Sequence, residues 1–230
     1  MILKNNFNFR NIVIIPARAG SRRLPGKNIK RLADIPLIVH SINYAKQNLD
    51  IVGRIIVSTN DAAVKGVALR EGVEVIDRPN AISGHEAPTI WALRHVLDNL
   101  SQEVENVILL QPTNPLRPKN LLKDAFKEFS KGKYESLMTV SRSYQKFGKI
   151  KNNQFVPFNY EMGQRSQDLE PLFFEDGLLY IIKASLISQD KLLGENNFPF
   201  IVNHPFSKID IDEKEDFEYA EFLLKRTKKK

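Results

Sequence analysis

The sequence lacks three features that would each point to a particular class of protein. None of its 230 residues is cysteine, which excludes disulfide bonds and thiolate metal sites. No apolar run reaches the roughly 18 residues that a membrane-spanning helix needs. The opening segment, MILKNNFNFRN, has no long apolar core of the kind found in signal peptides. These absences lead us to expect a cytoplasmic protein with no membrane partner.

Acidic residues are in the minority, since 27 Asp and Glu stand against 34 Lys and Arg, giving a net charge of +7. Five of these positive charges lie at 225–230, and a basic terminal run is typically a solvated tail. The rest of the chain is close to neutral, so we expect no nucleic-acid partner. A composition of 42% hydrophobic and 27% charged residues is ordinary for a folded domain. The length predicts one domain over residues 1–230.

One short stretch carries a concentration of positive charge without any acidic residue. Its cations are Arg18, Arg22, Arg23, Lys27, Lys30 and Arg31. Such a stretch suits a multiply charged anion better than a neutral metabolite.

Short β-branched runs alternate with helical patterns along most of the chain. Strands are predicted at 11–17, 54–59, 73–76, 106–111, 135–141 and 176–183. Helices are predicted at 36–48, from the cap Asp61 to about Gly72, from the cap Thr89 to about 100, from Pro118, and at 213–225. This alternation predicts an α/β fold with a mostly parallel sheet and helices on both faces. Ligands then bind at the carboxyl ends of the strands, in the polar loops 17–28, 77–88 and 111–117.

Residues 142–176 interrupt the alternation. They are polar and aromatic, too long for an ordinary loop and too short for a second domain. We interpret them as an inserted arm formed by a hairpin. Its apolar side chains would form an exposed patch if the arm stood alone in water; they are Phe147, Phe155, Phe158, Tyr160, Met162, Phe173 and Phe174. We therefore expect the arm to pack against a second copy of the chain.

The loop after the first strand, PARAGSRRLPGKN at 16–28, looks at first like a P-loop. That pattern requires four residues between its first glycine and the Gly-Lys pair, followed by Ser or Thr. Here five residues separate Gly20 from Gly26, and Asn28 follows Lys27, so the P-loop assignment fails. The loop still combines two glycines with four cations after a buried strand, which suits the binding of a triphosphate.

The same run, ARAGSRRLPGKN, resembles the opening motif of the acylneuraminate cytidylyltransferases, or CMP-sialic acid synthetases. Arg22 replaces the first lysine of that motif, and the matching residues are Arg18, Gly20, Ser21, Lys27 and Asn28. The resemblance implies a Rossmann-like nucleotide-diphospho-sugar transferase fold with a small dimerisation arm. It also implies transfer of CMP from CTP to a sialic-acid-like nonulosonic acid of the N-acylneuraminate or legionaminate type, with release of pyrophosphate.

Later motifs extend the resemblance over nearly the whole chain. RPNAISGHEAPT at 78–89 corresponds to nucleotide contacts, although His85 stands where an aspartate is usual. LLQPTNPLR at 109–117 and QRSQDLEPLFFEDGLLYI at 164–181 correspond to sugar contacts, with Asn114 and Asp176 as departures. The implied CTP-binding residues are Arg18, Gly20, Ser21, Arg22, Lys27, Asn28, Arg78, Ala87 and Thr89. The implied sugar-binding residues are Gln111, Thr113, Asn114, Lys146, Arg165, Phe173, Phe174 and Tyr180.

The segment KIDIDEKEDF at 208–217 carries the predicted metal site. Asp210 and Asp212 alternate along an extended segment, so both carboxylates face the same side. Hard oxygen ligands in this arrangement suit Mg²⁺ (or Mn²⁺) bridging phosphates, and the family uses this pair for metal. The resemblance makes Arg18, Lys27 and Asp212 the catalytic residues. A competing interpretation is that Asp212 caps the following helix in a capping box with Glu215.

Two alternative functions stay open at this point. One is CMP activation of another α-keto acid sugar, such as pseudaminate or Kdo. The other is a non-catalytic nucleotide-binding protein, against which the Asp210/Asp212 pair argues because a pure binder needs no metal site. The resemblance further implies a homodimer in which Lys146 and Arg165 of the arm complete the neighbour's sugar pocket.

Overall fold

The first strand explains why the molecule has a core on each side of its sheet. In the computed structural model, which describes residues 10–227, this strand spans Asn11–Pro16. Val13 and Ile15 contribute to one buried cluster, whereas Ile12 and Ile14 contribute to another. Because successive side chains of a strand face opposite sides, a continuous apolar run requires cover on both faces. The remaining residues, 1–9 and 228–230, lie outside the described range, including Lys228, Lys229 and Lys230 of the predicted tail.

Eleven strands are formed within the described residues. They are β1 Asn11–Pro16, β2 Arg31–Leu32, β3 Ile35–Pro36, β4 Arg54–Thr59, β5 Glu74–Asp77, β6 Asn106–Leu109, β7 Ser136–Ser143, β8 Gly148–Lys151, β9 Gln154–Pro157, β10 Leu172–Lys183 and β11 Asn197–Ile201. Seven form the central sheet, in the order β11-β7-β10-β6-β1-β4-β5. All of its neighbours pair in parallel except β10, which is antiparallel to both β6 and β7. The predicted mostly parallel sheet is confirmed.

Helices cover both faces of this sheet, as predicted. They are α1 Leu37–Lys46, α2 Ala62–Arg70, α3 Thr89–Asp98, α4 Leu121–Lys131, α5 Ala184–Ile187 and α6 Lys214–Thr227. α1, α2 and α4 pack into the cluster around Val13, while α3 and α5 pack into the cluster around Ile12. Over residues 10–227, no helix has both the length and the apolar character needed to cross a membrane.

The starts of the helices test three local predictions. The predicted cap Asp61 is confirmed, since its Oδ1 accepts hydrogen bonds from two backbone N–H groups of the first turn of α2. The prediction of Thr89 as a cap is wrong, because Pro88 occupies the capping position and Thr89 is already helical. The predicted start at Pro118 is also wrong. Its carbonyl accepts the N–H of Leu121 in a turn that precedes α4.

The arm is a hairpin, as predicted, but it is shorter than residues 142–176. Its two ends belong to the central sheet, because β7 runs to Ser143 and β10 begins at Leu172. Between them, β8 and β9 pair antiparallel around Asn152 and Asn153, whose φ angles of +51° and +61° suit a tight hairpin turn. Aromatic side chains remain exposed on this arm, with Phe158 at 63%.

A third apolar cluster fixes the position of the two loops on which the site depends. Ala220 and Leu223 of α6 pack against Leu24, which lies within the cationic stretch. Ile209 and Ile211, which flank Asp210, are buried in the same cluster. The C-terminal helix therefore holds the Asp210–Asp212 segment against the first loop.

Candidate active site

Two cavities open at the carboxyl-end edge of the parallel strands, where the sequence predicts ligand binding. The first has a volume of about 290 Å³. Its lining residues are Arg18, Gly20, Ser21, Arg22, Arg23, Leu24, Lys27, His85 and Asp212. The second has a volume of about 310 Å³. Its lining residues are Gln111, Asn114, Phe174, Glu175, Asp176, Gly177, Tyr180, Ser207, Lys208 and Asp210.

Lys27 is the buried cation of the first cavity. A 3₁₀ turn over Lys27–Ile29 follows Gly26, whose φ of +67° is in the left-handed region that glycine tolerates. The Lys27 ammonium donates hydrogen bonds to the carbonyl of Ile211 at 2.6 Å and to Oδ1 of Asp212 at 3.1 Å. The predicted phosphate loop and the predicted metal-binding segment are thereby joined through one side chain.

Asp212 is a partner of cations and not a helix cap. Its carboxylate accepts from Lys27 through Oδ1 and from Arg23 through Oδ2. The backbone N–H groups of Asp212 and Glu213 instead donate to Oδ2 of Asp216 at 2.9 Å. The capping interpretation of Asp212 with Glu215 is therefore wrong, because Asp216 performs that role from inside the first turn of α6.

Two arginines stand close together beside the first cavity. Arg18 donates to the carbonyl oxygens of Gly84 and His85, which ties the loop 17–28 to the loop 77–88. Arg78 is 7% exposed, and its Nε and Nη2 have no hydrogen-bond acceptor among the described residues. Burial, with a smaller contribution from the charge of Arg18, lowers the pKa of Arg78 to about 10. Buried donors without acceptors are costly, so this guanidinium is ready to bind an anionic or carbonyl oxygen.

The second cavity is shaped by Asn114, the residue at which the third motif departs from the family pattern. Its amide donates to the carbonyls of Asp176 at 3.1 Å and Ile209 at 2.8 Å. A Cβ added to Gly177 would lie 2.7 Å from Oδ1 of Asn114, and the φ of Gly177 is +71°. Asn114 therefore connects β10 to the segment of Asp210 and requires glycine at position 177.

Arg117 stabilises the second cavity through hydrogen bonds. Its guanidinium donates to the carbonyls of Leu178 and Gln111 at 2.6 and 2.9 Å and to the Ser41 hydroxyl at 3.0 Å. Burial lowers the pKa of Arg117 to about 10. These bonds hold the loop after β6 against β10, which positions Gln111 in the cavity.

Asp210 and Asp212 are arranged as the alternation predicts, because the intervening Ile211 is buried and both carboxylates point outward. Removal from water raises the pKa of Asp210, while a hydrogen bond from Thr113 lowers it. Among residues 10–227, no cluster of three or more His, Asp or Glu side chains could hold a metal ion. A pair of carboxylates fits Mg²⁺, which in nucleotide enzymes takes one or two carboxylates and completes its shell with phosphates and water.

A family model described as cytidylyltransferase matches residues 12–229 of the chain. The chain belongs to the cytidylyltransferase family.

Three curated relatives are similar to this chain over most of its length. The CMP-N,N'-diacetyllegionaminic acid synthase of Legionella pneumophila is 31% identical, over 94% of this chain and 96% of the relative. The pseudaminic acid cytidylyltransferase of Campylobacter jejuni is 30% identical, over 94% and 97%. The N-acylneuraminate cytidylyltransferase of Streptococcus agalactiae is 29% identical over 90% of this chain, which spans about half (51%) of that relative.

Two solved structures share the fold. A CMP:2-keto-3-deoxy-manno-octonic acid synthetase complexed with CTP has a TM-score of 0.72 at 17% identity, over 95% of this chain and 99% of its own. The 4-diphosphocytidyl-2C-methyl-D-erythritol synthase of Anaerococcus prevotii has a TM-score of 0.65 at 14% identity, over 94% and 98%. These structures confirm the predicted nucleotidyltransferase fold.

Most residues that the motifs assign lie in or beside the two cavities. Asn28 is buried next to Lys27, and Thr113 contacts Asp210. The half-buried Ala87 and Thr89 lie at the start of α3, beside the first cavity's loop but outside its lining.

Three predicted sugar residues lie apart from the second cavity in this chain. Lys146 donates to the carbonyl of Gln164 within the arm, and Arg165 forms an ion pair with Asp168. Phe173 is exposed and precedes Phe174, the one aromatic of the pair that lines the cavity.

The motifs missed three charged residues that line the cavities: Arg23, Glu175 and Lys208. The sequence identified Arg23 only as a member of the cationic stretch and predicted no binding role for it. Glu175 and Lys208 lie inside quoted motifs, but at positions to which those motifs assign no role. The position of Glu175 depends on the irregular part of β10, and that of Lys208 depends on the packing of α6.

Proposed function

We propose that this cytidylyltransferase joins CMP from CTP to a sialic-acid-like nonulosonic acid and releases pyrophosphate. The observation that carries the proposal is the segment Asp210–Asp212, which contributes one carboxylate to each of two adjoining cavities. One cavity is cationic and suits a triphosphate; the other has the size and mixed polarity of a small-sugar site. The names of the relatives support a nonulosonic acid as the acceptor, and the motif resemblance favours the N-acylneuraminate or legionaminate type.

The reaction brings the anomeric hydroxyl of the sugar to the α-phosphorus of CTP. A bond forms between that oxygen and the α-phosphorus, and the bond from this phosphorus to the α–β bridging oxygen breaks. Pyrophosphate leaves with the electron pair of that bond, and the hydroxyl proton passes to water. Lys27 and Arg18 are positioned to stabilise the negative charge that develops on the phosphates. Arg78, with its unpaired N–H groups, binds an oxygen of the nucleotide.

Asp210 and Asp212 would hold a Mg²⁺ or Mn²⁺ ion. That ion, when bound, supplies neutralisation of phosphate charge. Asp212 is also paired with Arg23 and Lys27, which compensate its negative charge. The backbone of Ile209–Ile211 connects the two cavities, because Asn114 fixes the carbonyl of Ile209 at one side and Lys27 fixes that of Ile211 at the other.

We further propose that the protein works as a homodimer. The two predicted cationic sugar contacts, Lys146 and Arg165, lie on the arm and outside the second cavity of their own chain. Exposed aromatic side chains on the same arm offer a surface for a second copy.

The proposal is tested by incubating the protein with CTP, Mg²⁺ and a panel of sugar acids that includes N-acetylneuraminate, legionaminate, pseudaminate and Kdo. Release of pyrophosphate together with a CMP-sugar detected by mass spectrometry is the expected result for at least one nonulosonic acid. Reaction with Kdo alone would assign the enzyme to another sugar class. Binding of CTP without any product would favour the non-catalytic alternative.

A further inference from the structure

Among residues 10–227, Lys208 is the only lysine or arginine that lines the second cavity. It ends the 3₁₀ turn Pro205–Lys208, two residues before Asp210, and its side chain is exposed. That side chain forms no hydrogen bond or ion pair with any of the described residues. Lys27 of the first cavity, in contrast, is held by two oxygen atoms of the chain. An ammonium that faces a cavity without a partner is available to a ligand.

The backbone that follows Lys208 fixes the side to which it points. Ile209 has extended angles, φ −97° and ψ 110°, and both Ile209 and Ile211 are buried. Successive side chains of an extended segment point to opposite sides, so Lys208 faces the same side as Asp210 and Asp212. Two residues of extended chain span about 6.6 Å. Lys208 therefore lies one such step from the carboxylate pair, in the lining that it shares with Asp210.

The other charged side chains of this lining are carboxylates. They belong to Glu175, Asp176 and Asp210. Glu175 accepts a hydrogen bond from the hydroxyl of Tyr180, and the buried Asp176 accepts from two hydroxyls and one backbone N–H. An anionic sugar that enters this cavity is repelled by such groups. Of the described side chains in the lining, only the ammonium of Lys208 attracts it by charge.

A nonulosonic acid requires a cation at one particular place. It is an α-keto acid in its open-chain form, so in the ring form the carboxylate and the attacking hydroxyl are attached to the same anomeric carbon. The hydroxyl must reach the α-phosphorus, which lies beside Asp210 and Asp212 when that pair binds a phosphate-bridging ion. The sugar carboxylate is then held close to the same pair, within reach of a side chain one extended step away.

We infer that Lys208 binds the carboxylate of the nonulosonic acid and selects for acceptors that carry it. The inference rests on the proposed function, because it assigns the second cavity to the sugar. A hydrogen bond between charged groups is about twice as strong as one between neutral groups, which gives the selection its physical basis. The contact also fixes the anomeric carbon relative to the phosphorus, which favours attack by the hydroxyl. Lys208 belongs to the same chain as Asp210, whereas the cations of the arm would come from the second copy.

The experiment uses whichever of N-acetylneuraminate, legionaminate and pseudaminate gives the fastest release of pyrophosphate, together with its neutral C1 carboxamide. Lys208→Met keeps the length of the side chain and removes its charge. We expect KM for the sugar acid to rise about tenfold in Lys208→Met, while KM for CTP changes less than about twofold. The carboxamide, measured as a competitive inhibitor, should have the same inhibition constant for Lys208→Met and for the unmodified protein, because it has no carboxylate to lose contact with.

Lys214→Met is the matched control, because Lys214 is exposed at the start of α6 and lines neither cavity. Its KM for the sugar acid should equal that of the unmodified protein, and circular dichroism verifies the fold of both variants.

An unchanged KM for the sugar acid in Lys208→Met overturns the inference and leaves the proposed function intact. An equal rise in the inhibition constant of the carboxamide also overturns it, since Lys208 would then contact another part of the sugar. A rise confined to KM for CTP has the same consequence, because it assigns Lys208 to the phosphates. An unmodified protein that releases no pyrophosphate with any of the three acids overturns the proposed function, and the inference with it.

Discussion

At the scale of single residues, Asp212 tests the proposed chemistry most directly. Asp212→Asn removes one negative charge from the pair that would hold Mg²⁺, while the amide keeps the size of the side chain. We expect turnover to fall at least about tenfold, because a charged ligand of a phosphate-bridging ion is lost. Initial rates of pyrophosphate release at increasing Mg²⁺ measure the effect.

Glu213→Gln is the control for this change, since Glu213 is the adjacent acidic residue and contacts Arg23 at 3.5 Å. It should keep most of the activity. A rate for Asp212→Asn that equals the unmodified rate at saturating Mg²⁺ would mean that the carboxylate serves only as a partner for Arg23 and Lys27.

Gly177 provides a second prediction, on stability. Alanine at this position must adopt a φ of +71° and place its Cβ 2.7 Å from Oδ1 of Asn114. The left-handed conformation alone costs roughly 1–2 kcal/mol, and the contact with Asn114 adds to it. We expect Gly177→Ala to lower the thermal unfolding midpoint and to raise KM for the sugar, because Asn114 has to move.

Gly72→Ala is the matched comparison, because Gly72 also has a positive φ, +69°, but an added Cβ would meet nothing within 4 Å. Only the cost of the left-handed backbone conformation remains there. For a chain of this length we expect it to lower the thermal unfolding midpoint by a few degrees. Equal midpoints for the two variants would show that Asn114 adapts freely and does not define the cavity.

The residues found and missed by sequence analysis differ in a physical way. Lys27 and Asp212 were predicted because each stands in a motif whose chemistry is local, a glycine-bearing loop and an alternating carboxylate pair. Glu175 could not be predicted, because its direction depends on a bulge and on a hydrogen bond from Tyr180. Two acceptors of Arg117, on Leu178 and Ser41, are likewise distant in sequence, so its supporting role appears only in the folded chain.

At the scale of elements, the strands with continuous apolar runs were predicted well, because burial on both faces leaves a clear pattern. β11 was missed because its sequence, NFPFI, contains a proline, which is usually read as a break. The proline is tolerated because β11 lies at the edge of the sheet. The early start of β10 was missed because its first residues, LFFE, resemble the aromatic arm that precedes them.

The C-terminal helix α6 supports a third prediction. Its last residues buried in the cluster with Leu24 are Ala220 and Leu223, and residues 225–227 are exposed. Deleting residues 225–230 should therefore leave nearly all activity, because the packing that holds the Asp210–Asp212 segment is kept. Activity and circular dichroism of the truncated protein are measured together.

A deletion that begins at Ala220 is the control, since it removes both buried residues and should reduce activity and stability. Loss of more than about half the activity in the shorter deletion, with its fold preserved, would give the basic tail a function of its own.

At the scale of the whole molecule, the exposed apolar side chains are concentrated on one part of the surface. On the arm, Phe155, Phe158 and Met162 are 54%, 63% and 77% exposed. Such side chains are costly to leave in water as a contiguous patch, and a two-fold contact with a second copy would cover both patches at once. We therefore expect sedimentation at micromolar concentration to give the mass of a dimer.

The last prediction concerns which chain supplies the arm residues to each site. Within residues 10–227, Arg165 forms an ion pair only with Asp168 of its own arm. Its side chain is 77% exposed, whereas Asp212 lies in the body of the chain. If the arm reaches the neighbour's second cavity, a mixed dimer of Arg165→Ala and Asp212→Asn chains contains one intact site and one doubly impaired site. Random exchange of subunits then restores roughly a quarter of the unmodified activity, although each variant alone is impaired. Activity equal to the mean of the two variants would place both residues in the same chain's site, and a fully active monomer would exclude a shared site altogether.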